Sequence, residues 1–133
     1  MVVAAIGVFF ALPNAPEVRT IELEARDFGY NDVKGGPAIQ VKVGETVRIV
    51  LKNAGGLPHE FKVVQDLKMS MAESMEPIFN GAATKVIKPG ETDSVTFVPT
   101  KAGKYFYGCF MDEGTKPDRH SDRGMFAEFI VQN

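Results

Sequence analysis

The residues of this chain that are best suited to chemistry are a cysteine, two histidines and a methionine. Among 133 residues, Cys109 is the single cysteine, His59 and His120 are the two histidines, and Met125 closes the segment His120-x4-Met125. One thiolate, two imidazoles and a thioether form the ligand set of a mononuclear type 1 copper site. The sequence therefore predicts that these four residues bind one copper ion.

Each ligand type in this set has a chemical reason. A thiolate donates strongly to both copper redox states, imidazole suits the cupric ion, and thioether suits the cuprous ion. A rigid site that satisfies neither state fully moves little on reduction, so electron transfer through it needs little reorganisation. Because protein groups would fill all four ligand positions, we expect a redox site and not an enzyme.

The single cysteine excludes several alternatives. One thiol cannot form an intramolecular disulfide, an all-cysteine zinc site or a thiolate-bridged binuclear copper site. A lone cysteine is most often a small buried apolar residue. Cys109, however, lies between the aromatic run Tyr105-Phe106-Tyr107 and the segment His120-x4-Met125, and this position favours a ligand.

The elements that must position these ligands are predicted to be β-strands. Apolar residues alternate with polar ones in short runs, and Gly- and Pro-containing turns separate the runs at near-regular intervals, a pattern typical of an antiparallel β-sandwich. The clearest predicted strands are 39–43, 47–51, 94–98, 104–109 and 125–131. His59 lies at the edge of an early strand, and the other three candidates lie in the loop between the last two. One end of the sandwich is therefore expected to gather all four.

One segment departs from the strand pattern. Gln65–Lys85 is poor in β-branched residues and contains Met69, Met71 and Met75, which predicts a helix of one or two turns that ends near Pro77. The three methionines either fill an irregular gap in the core or form a soft-ligand patch that passes cuprous ion.

The N-terminal residues 1–16 are expected to be separate from a domain spanning residues 17–133. Met1–Leu12 is an apolar run that is shorter than the roughly 20 residues of a membrane-spanning helix and lacks the basic flank of a signal peptide. We expect either the remnant of an export or anchor segment or a membrane-proximal anchor that associates the protein with a membrane. The alternative is an ordinary buried N-terminal strand or helix.

The charge of the chain is nearly balanced. Fifteen basic and 17 acidic residues give a net charge of −2, which lacks the basic surplus of a nucleic-acid-binding domain. Charged residues crowd the loop around His120, where they form either a solvated surface or a docking rim for a partner. They are Asp112, Glu113, Lys116, Asp118, Arg119, Asp122 and Arg123.

In its motifs, the chain resembles the cupredoxins, the superfamily of plastocyanin, azurin and amicyanin. The resemblance covers most of residues 18–133, and it depends on the order and spacing of several short motifs. They are Val43-Gly44-Glu45-Thr46-Val47, Asn53-Ala54-Gly55 before Pro58-His59-Glu60-Phe61, Lys88-Pro89-Gly90-Glu91-Thr92, Ala102-Gly103-Lys104-Tyr105-Phe106-Tyr107-Gly108-Cys109, and His120-x4-Met125.

The resemblance implies an all-β Greek-key sandwich of about seven or eight strands, here with the short helical insertion. It implies one type 1 copper, with His59, Cys109 and His120 as equatorial ligands and Met125 as the axial one. It also implies one-electron transfer between redox proteins outside the cytoplasm, in the periplasm or attached to a membrane respiratory complex. A cytochrome or an oxidase would dock near His120, the usual electron exit of the family.

Two departures from the family pattern leave alternatives open. Ten residues separate Cys109 from His120, where the family usually has about two to four, although closing a longer loop costs little. Glu60 follows His59 where the family often has Asn, so its carboxylate could bond a neighbouring loop or compete as a ligand. Met111 is a competing thioether. The long loop and the Met-rich insertion together suggest a second function, a copper-binding module for resistance or delivery.

Overall fold

The computed structural model describes residues 17–67, 76–111 and 119–133, and these residues form two β-sheets. The described strands are β1 (Val18–Arg26), β2 (Gly29–Tyr30), β3 (Val33–Lys34), β4 (Ile39–Lys42), β5 (Thr46–Asn53), β6 (Lys62–Val64), β7 (Thr92–Phe97), β8 (Gly103–Gly108) and β9 (Phe126–Gln132). The predicted all-β sandwich is confirmed, with nine strands in the described residues. The additional short strands form the β2–β3 hairpin, which is not among the clearest predicted strands.

Both sheets are mixed. The first has the strand order β3-β2-β1-β5-β7 and the second β4-β9-β8-β6. The pairs β1–β5 and β4–β9 are parallel, which the predicted antiparallel pattern did not anticipate. Parallel neighbours need a long crossover between them, and the chain supplies one because it visits the second sheet as β4 before it returns to the first as β5.

The core lies between the sheets and follows from the alternation in the sequence. In β5, Val47, Ile49, Leu51 and Asn53 are buried while the intervening side chains are exposed or half-buried, as expected when successive residues face opposite sides of a sheet. An aromatic cluster is part of this core: Tyr107 packs against Tyr30 and Phe61 with ring centroids 5.2 and 5.4 Å apart.

The predicted helix falls largely on residues that lie outside the described ranges, and so do Met69, Met71 and Met75. In the described residues the single helical element is a 3-10 turn, His120–Arg123, which the sequence analysis did not predict. The N-terminal residues 1–16 also lie outside the described ranges, and so do residues 112–118, which include the charged Asp112, Glu113, Lys116 and Asp118. No helix among the described residues is long and apolar enough to cross a membrane.

Candidate metal centre

His59 is held by the loop that follows β5. Its backbone exchanges two hydrogen bonds with Ile87, of 3.0 and 2.8 Å. The buried Asn53 side chain fixes the loop in between, since its Nδ2 donates to the carbonyls of Leu57 and Ile87 and its Oδ1 accepts from the N–H of Gly55. The loop thus obtains from one side chain the hydrogen bonds that a strand would obtain from its neighbour.

The outer nitrogen of the His59 ring contacts a carboxylate. Nε2 of His59 lies 2.8 Å from Oδ1 of Asp27, in the turn between β1 and β2. Asp27 also accepts hydrogen bonds from the backbone N–H groups of Gly56 and Leu57. Partial burial alone would raise the pKa of Asp27, but the hydrogen bonds from His59 and the two N–H groups outweigh it and hold the pKa below 3.8.

The other three candidate ligands are held by main-chain hydrogen bonds between the two ends of one loop. The N–H of Cys109 donates to the carbonyl of Met125 at 3.1 Å, and the N–H of Met125 donates to the carbonyl of His120 at 3.1 Å. The N–H of His120 donates to the carbonyl of Met111 at 3.0 Å. These bonds bring residues on both sides of the long loop to one place.

Three of the predicted ligands meet with their donor atoms facing one another. Nδ1 of His120 lies 3.2 Å from Nδ1 of His59 and 3.4 Å from Sγ of Cys109. All three donors lie within 4.8 Å of one another, and all three side chains are buried. Met125 is fully buried, and its backbone is hydrogen-bonded to those of Cys109 and His120. This set of thiolate and imidazole donors, with a thioether residue at hand, fits one type 1 copper ion.

Burial sets the protonation of the copper-free ligands. It lowers the pKa of His59 below 6.5, with the neighbouring His120 acting in the same direction and Asp27 opposing it, so the ring is neutral at pH 7 and can bind metal. Burial, aided by the negative charge of Glu60, raises the pKa of the Cys109 thiol to about 12. Metal binding must therefore displace a proton from this thiol.

The Glu60 carboxylate bonds a neighbouring loop, which is the first of the two roles that the sequence left open. Its Oε2 accepts a hydrogen bond from the N–H of Phe110 at 3.1 Å, and Nζ of Lys62 lies 3.8 Å from the same oxygen. The Glu60 carboxylate thereby ties the loop of His59 to the residue after Cys109. It does not belong to the cluster of donor atoms found in the described residues.

Phe28 packs against His120, and Arg123 in turn lies over Phe28. The rings of Phe28 and His120 meet edge to face with centroids 5.3 Å apart, and the guanidinium of Arg123 lies 5.0 Å from the centroid of the Phe28 ring. His120 is only 1 % exposed. Phe28 has a φ of 75°, an uncommon and costly conformation for a bulky residue. Arg119, one of the predicted rim residues, is 4 % exposed and thus does not belong to an exposed rim.

The comparisons with known proteins agree with the fold. The sequence model of the cupredoxin-like domain matches residues 1–117, a range that includes His59 and Cys109. The chain therefore belongs to the cupredoxin-like domain family, as its motifs predicted. Together with the donor cluster, this membership defines a single type 1 copper as its cofactor. The sequence matches no curated protein.

Several solved structures share the fold. Auracyanin B is 20 % identical, with 90 % of this chain and 92 % of that chain covered and a TM-score of 0.67. Auracyanin A, described as a blue copper protein from Chloroflexus aurantiacus, is 21 % identical, with 87 % and 100 % covered and a TM-score of 0.63.

An enzyme is also among these structures. A multicopper oxidase is 26 % identical with a TM-score of 0.65, and the match covers 90 % of this chain but only 44 % of the oxidase chain. The chain thus spans less than half the length of that enzyme. The chain is a cupredoxin-like domain.

Proposed function

We propose that this protein carries single electrons, and that His59, Cys109, His120 and Met125 would hold its one copper ion. The observation that carries the proposal is the buried cluster in which Nδ1 of His120 lies 3.2 Å from Nδ1 of His59 and 3.4 Å from Sγ of Cys109. When bound, copper supplies a one-electron couple between its cupric and cuprous states.

The residues around the cluster hold the ligands still and keep water away. All four ligand side chains are at most 1 % exposed. Main-chain bonds fix Cys109, His120 and Met125, and the Asn53 side chain fixes the loop that carries His59. A site held in this way changes little when an electron arrives, which suits electron transfer better than substrate turnover.

The visible spectrum of the copper-loaded protein tests this function. We expect an intense thiolate-to-copper absorption that ascorbate bleaches and reoxidation restores, and Cys109→Ser should abolish it. A colourless cupric protein, or a coloured Cys109→Ser variant, would contradict the proposal. Met125→Leu should shift the spectrum and raise the reduction potential because the axial ligand tunes both. The matched control Met111→Leu should leave both close to the parent values.

The proposed partner is a redox protein such as a cytochrome or an oxidase, which docks near His120. Since the Phe28 ring packs against the buried His120 ring and the Arg123 guanidinium lies over Phe28, the partner would contact these two side chains and not the imidazole itself. Arg123 is exposed and Phe28 is half-buried, so the contact surface joins an aromatic ring to a positive charge. Such a surface favours fast, salt-sensitive encounter with an acidic partner.

Electron exchange kinetics test this docking position. Phe28→Leu removes the aromatic ring, and Arg123→Gln removes the charge from the same surface. We expect both variants to slow exchange with a cytochrome, and Arg123→Gln to weaken its salt dependence. Lys104→Gln is a matched control, because Lys104 is an exposed cation of β8 that pairs with Glu128. Equal effects of Arg123→Gln and Lys104→Gln would contradict docking beside His120.

The proposed location is outside the cytoplasm, in the periplasm or on a membrane. Two features support it: the family resemblance, and the apolar run Met1–Leu12, which could provide a membrane association. Fractionation of cells that express the full chain, compared with a variant lacking residues 1–16, tests both parts. Recovery of the full chain in the cytosol would contradict the location.

Copper delivery is the second candidate function, but no contact in the described residues favours it. The two features that suggested it are the methionines of residues 69–75 and the long loop that includes residues 112–118. Both of these stretches lie outside the described ranges. The fully buried ligands favour a retained ion. A competition with a cuprous chelator separates the functions, since a carrier should release copper slowly and a delivery module readily.

A further inference from the structure

A carboxylate holds the side of the His59 ring that faces away from the proposed copper. Nε2 of His59 lies 2.8 Å from Oδ1 of Asp27, while Nδ1 of the same ring faces His120 at 3.2 Å. A carboxylate can only accept here, so the Nε2 atom carries the hydrogen and Nδ1 presents its lone pair to the centre of the donor cluster.

Several groups of the chain hold the contact between Asp27 and His59 in place. Asp27 is oriented by the N–H groups of Gly56 and Leu57. A Cβ at Gly55 would lie 2.6 Å from Oδ1 of Asp27 and 3.1 Å from Nε2 of His59, so only glycine permits the close approach of the loop to the carboxylate. The pairing of Ala25 with Asn53 in the parallel β1–β5 ladder aligns the turn that carries Asp27 with this loop.

A carboxylate that accepts a hydrogen bond from Nε2 changes how strongly Nδ1 of the same ring binds a metal. The hydrogen bond fixes the ring orientation and makes the imidazole a stronger donor. A stronger donor and an added negative charge favour the cupric over the cuprous ion. Loss of such a partner typically weakens metal affinity by about 10- to 100-fold.

We propose that Asp27 is a positioning residue, which fixes the Nε2-protonated tautomer of His59 and lowers the reduction potential of the site. The inference rests on the proposed function for its redox part only, because the tautomer is a property of the copper-free chain. Glu60, next to His59 in the chain, carries another negative charge, and Nζ of Lys62 lies 3.8 Å from its carboxylate.

The variant Asp27→Asn tests the redox part because it removes the charge but keeps one oxygen that can accept the hydrogen bond from Nε2 of His59. A tenfold loss of cupric relative to cuprous affinity would raise the potential by about 59 mV. Asp32→Asn is the matched control, since it removes the same charge from the adjacent hairpin, where Asp32 is 73 % exposed and pairs with Arg26. Equal shifts in the two variants, or no shift in Asp27→Asn, would overturn the proposal.

Nitrogen-15 NMR of the copper-free protein tests the tautomer. We expect the parent protein to show His59 protonated at Nε2 at neutral pH, and Asp27→Ala to lose this preference while circular dichroism still reports a folded β-protein. Protonation at Nδ1 in the parent would overturn the positioning role. A colourless copper-loaded parent that still shows the Nε2 tautomer would count against the proposed function but support the positioning role of Asp27.

Discussion

The two parts of the chain that supply the candidate ligands are held in different ways. The first, residues 53–60, carries His59 and is fixed by main-chain bonds of His59 to Ile87 and by two side chains, Asn53 inside it and Asp27 from the neighbouring turn. The second, residues 109–125, carries the other three ligands, and main-chain bonds between its two ends fix it. We call them the first and the second ligand segment.

The difference explains which changes each ligand segment tolerates. The first segment depends on the identity of a few side chains, so single substitutions there should be costly. The second segment depends on backbone groups near its ends, so the residues between those ends can vary in number. This accounts for the ten residues between Cys109 and His120, a spacing that is longer than is usual in the cupredoxins.

The largest expected effect concerns the thiol of the second ligand segment. Cys109 is fully buried, and a pKa of about 12 instead of 9.0 leaves about a thousandfold less thiolate near neutral pH. Alkylation of the copper-free protein by iodoacetamide should therefore be slower than that of the urea-unfolded chain by about this factor. Similar rates for the folded and unfolded chain would contradict the buried position of the thiol.

The next effect concerns the first ligand segment. Asn53→Ala leaves the carbonyl of Leu57 and the N–H of Gly55 without their partner, while the carbonyl of Ile87 keeps the bond from the N–H of His59. The change should lower the free energy of unfolding by about 3 kcal/mol. Urea unfolding of the copper-free protein measures it. Asn53→Asp keeps the acceptor for Gly55 but removes both donors, so it should also destabilise the protein. A loss below about 1 kcal/mol for Asn53→Ala would show that water replaces these bonds.

A smaller effect is the pH dependence of the copper-free protein. Because the folded-state pKa of His59 lies below 6.5, the unfolded chain takes up the proton first as the pH falls. The stability that neutral His59 contributes is complete above pH 6.5 and is lost as the pH falls through the folded-state pKa. Urea unfolding at pH 7.5 and pH 5.5 should show this loss, and His59→Gln should reduce it. An unchanged pH dependence in His59→Gln would contradict the assignment.

The smallest effect is expected from shortening the second ligand segment. Because the N–H of His120 bonds the carbonyl of Met111 at 3.0 Å, a short connection can join the two described ends. Replacement of residues 112–118 by a Gly-Ser linker of four residues should retain the visible absorption. A colourless product that remains folded would show that residues 112–118 are needed to hold the ligands.

The sequence could predict the composition of the site because its ligand types are rare in this chain. One cysteine and two histidines leave few choices, and the strand alternation places them at one end of a sandwich. The contacts of Asp27 and Phe28 with the two histidine rings could not be predicted. They depend on the parallel pairing of β1 with β5, a long-range choice that local pattern does not encode, and on the positive φ of Phe28.

X-ray absorption at the copper edge of the loaded protein tests the central claim most directly, because it reports the atoms bound to the metal. The account predicts one short copper–sulfur distance and two copper–nitrogen distances, with the short sulfur distance absent in Cys109→Ser. A spectrum with only nitrogen and oxygen neighbours, or a short sulfur distance that persists in Cys109→Ser, would contradict it.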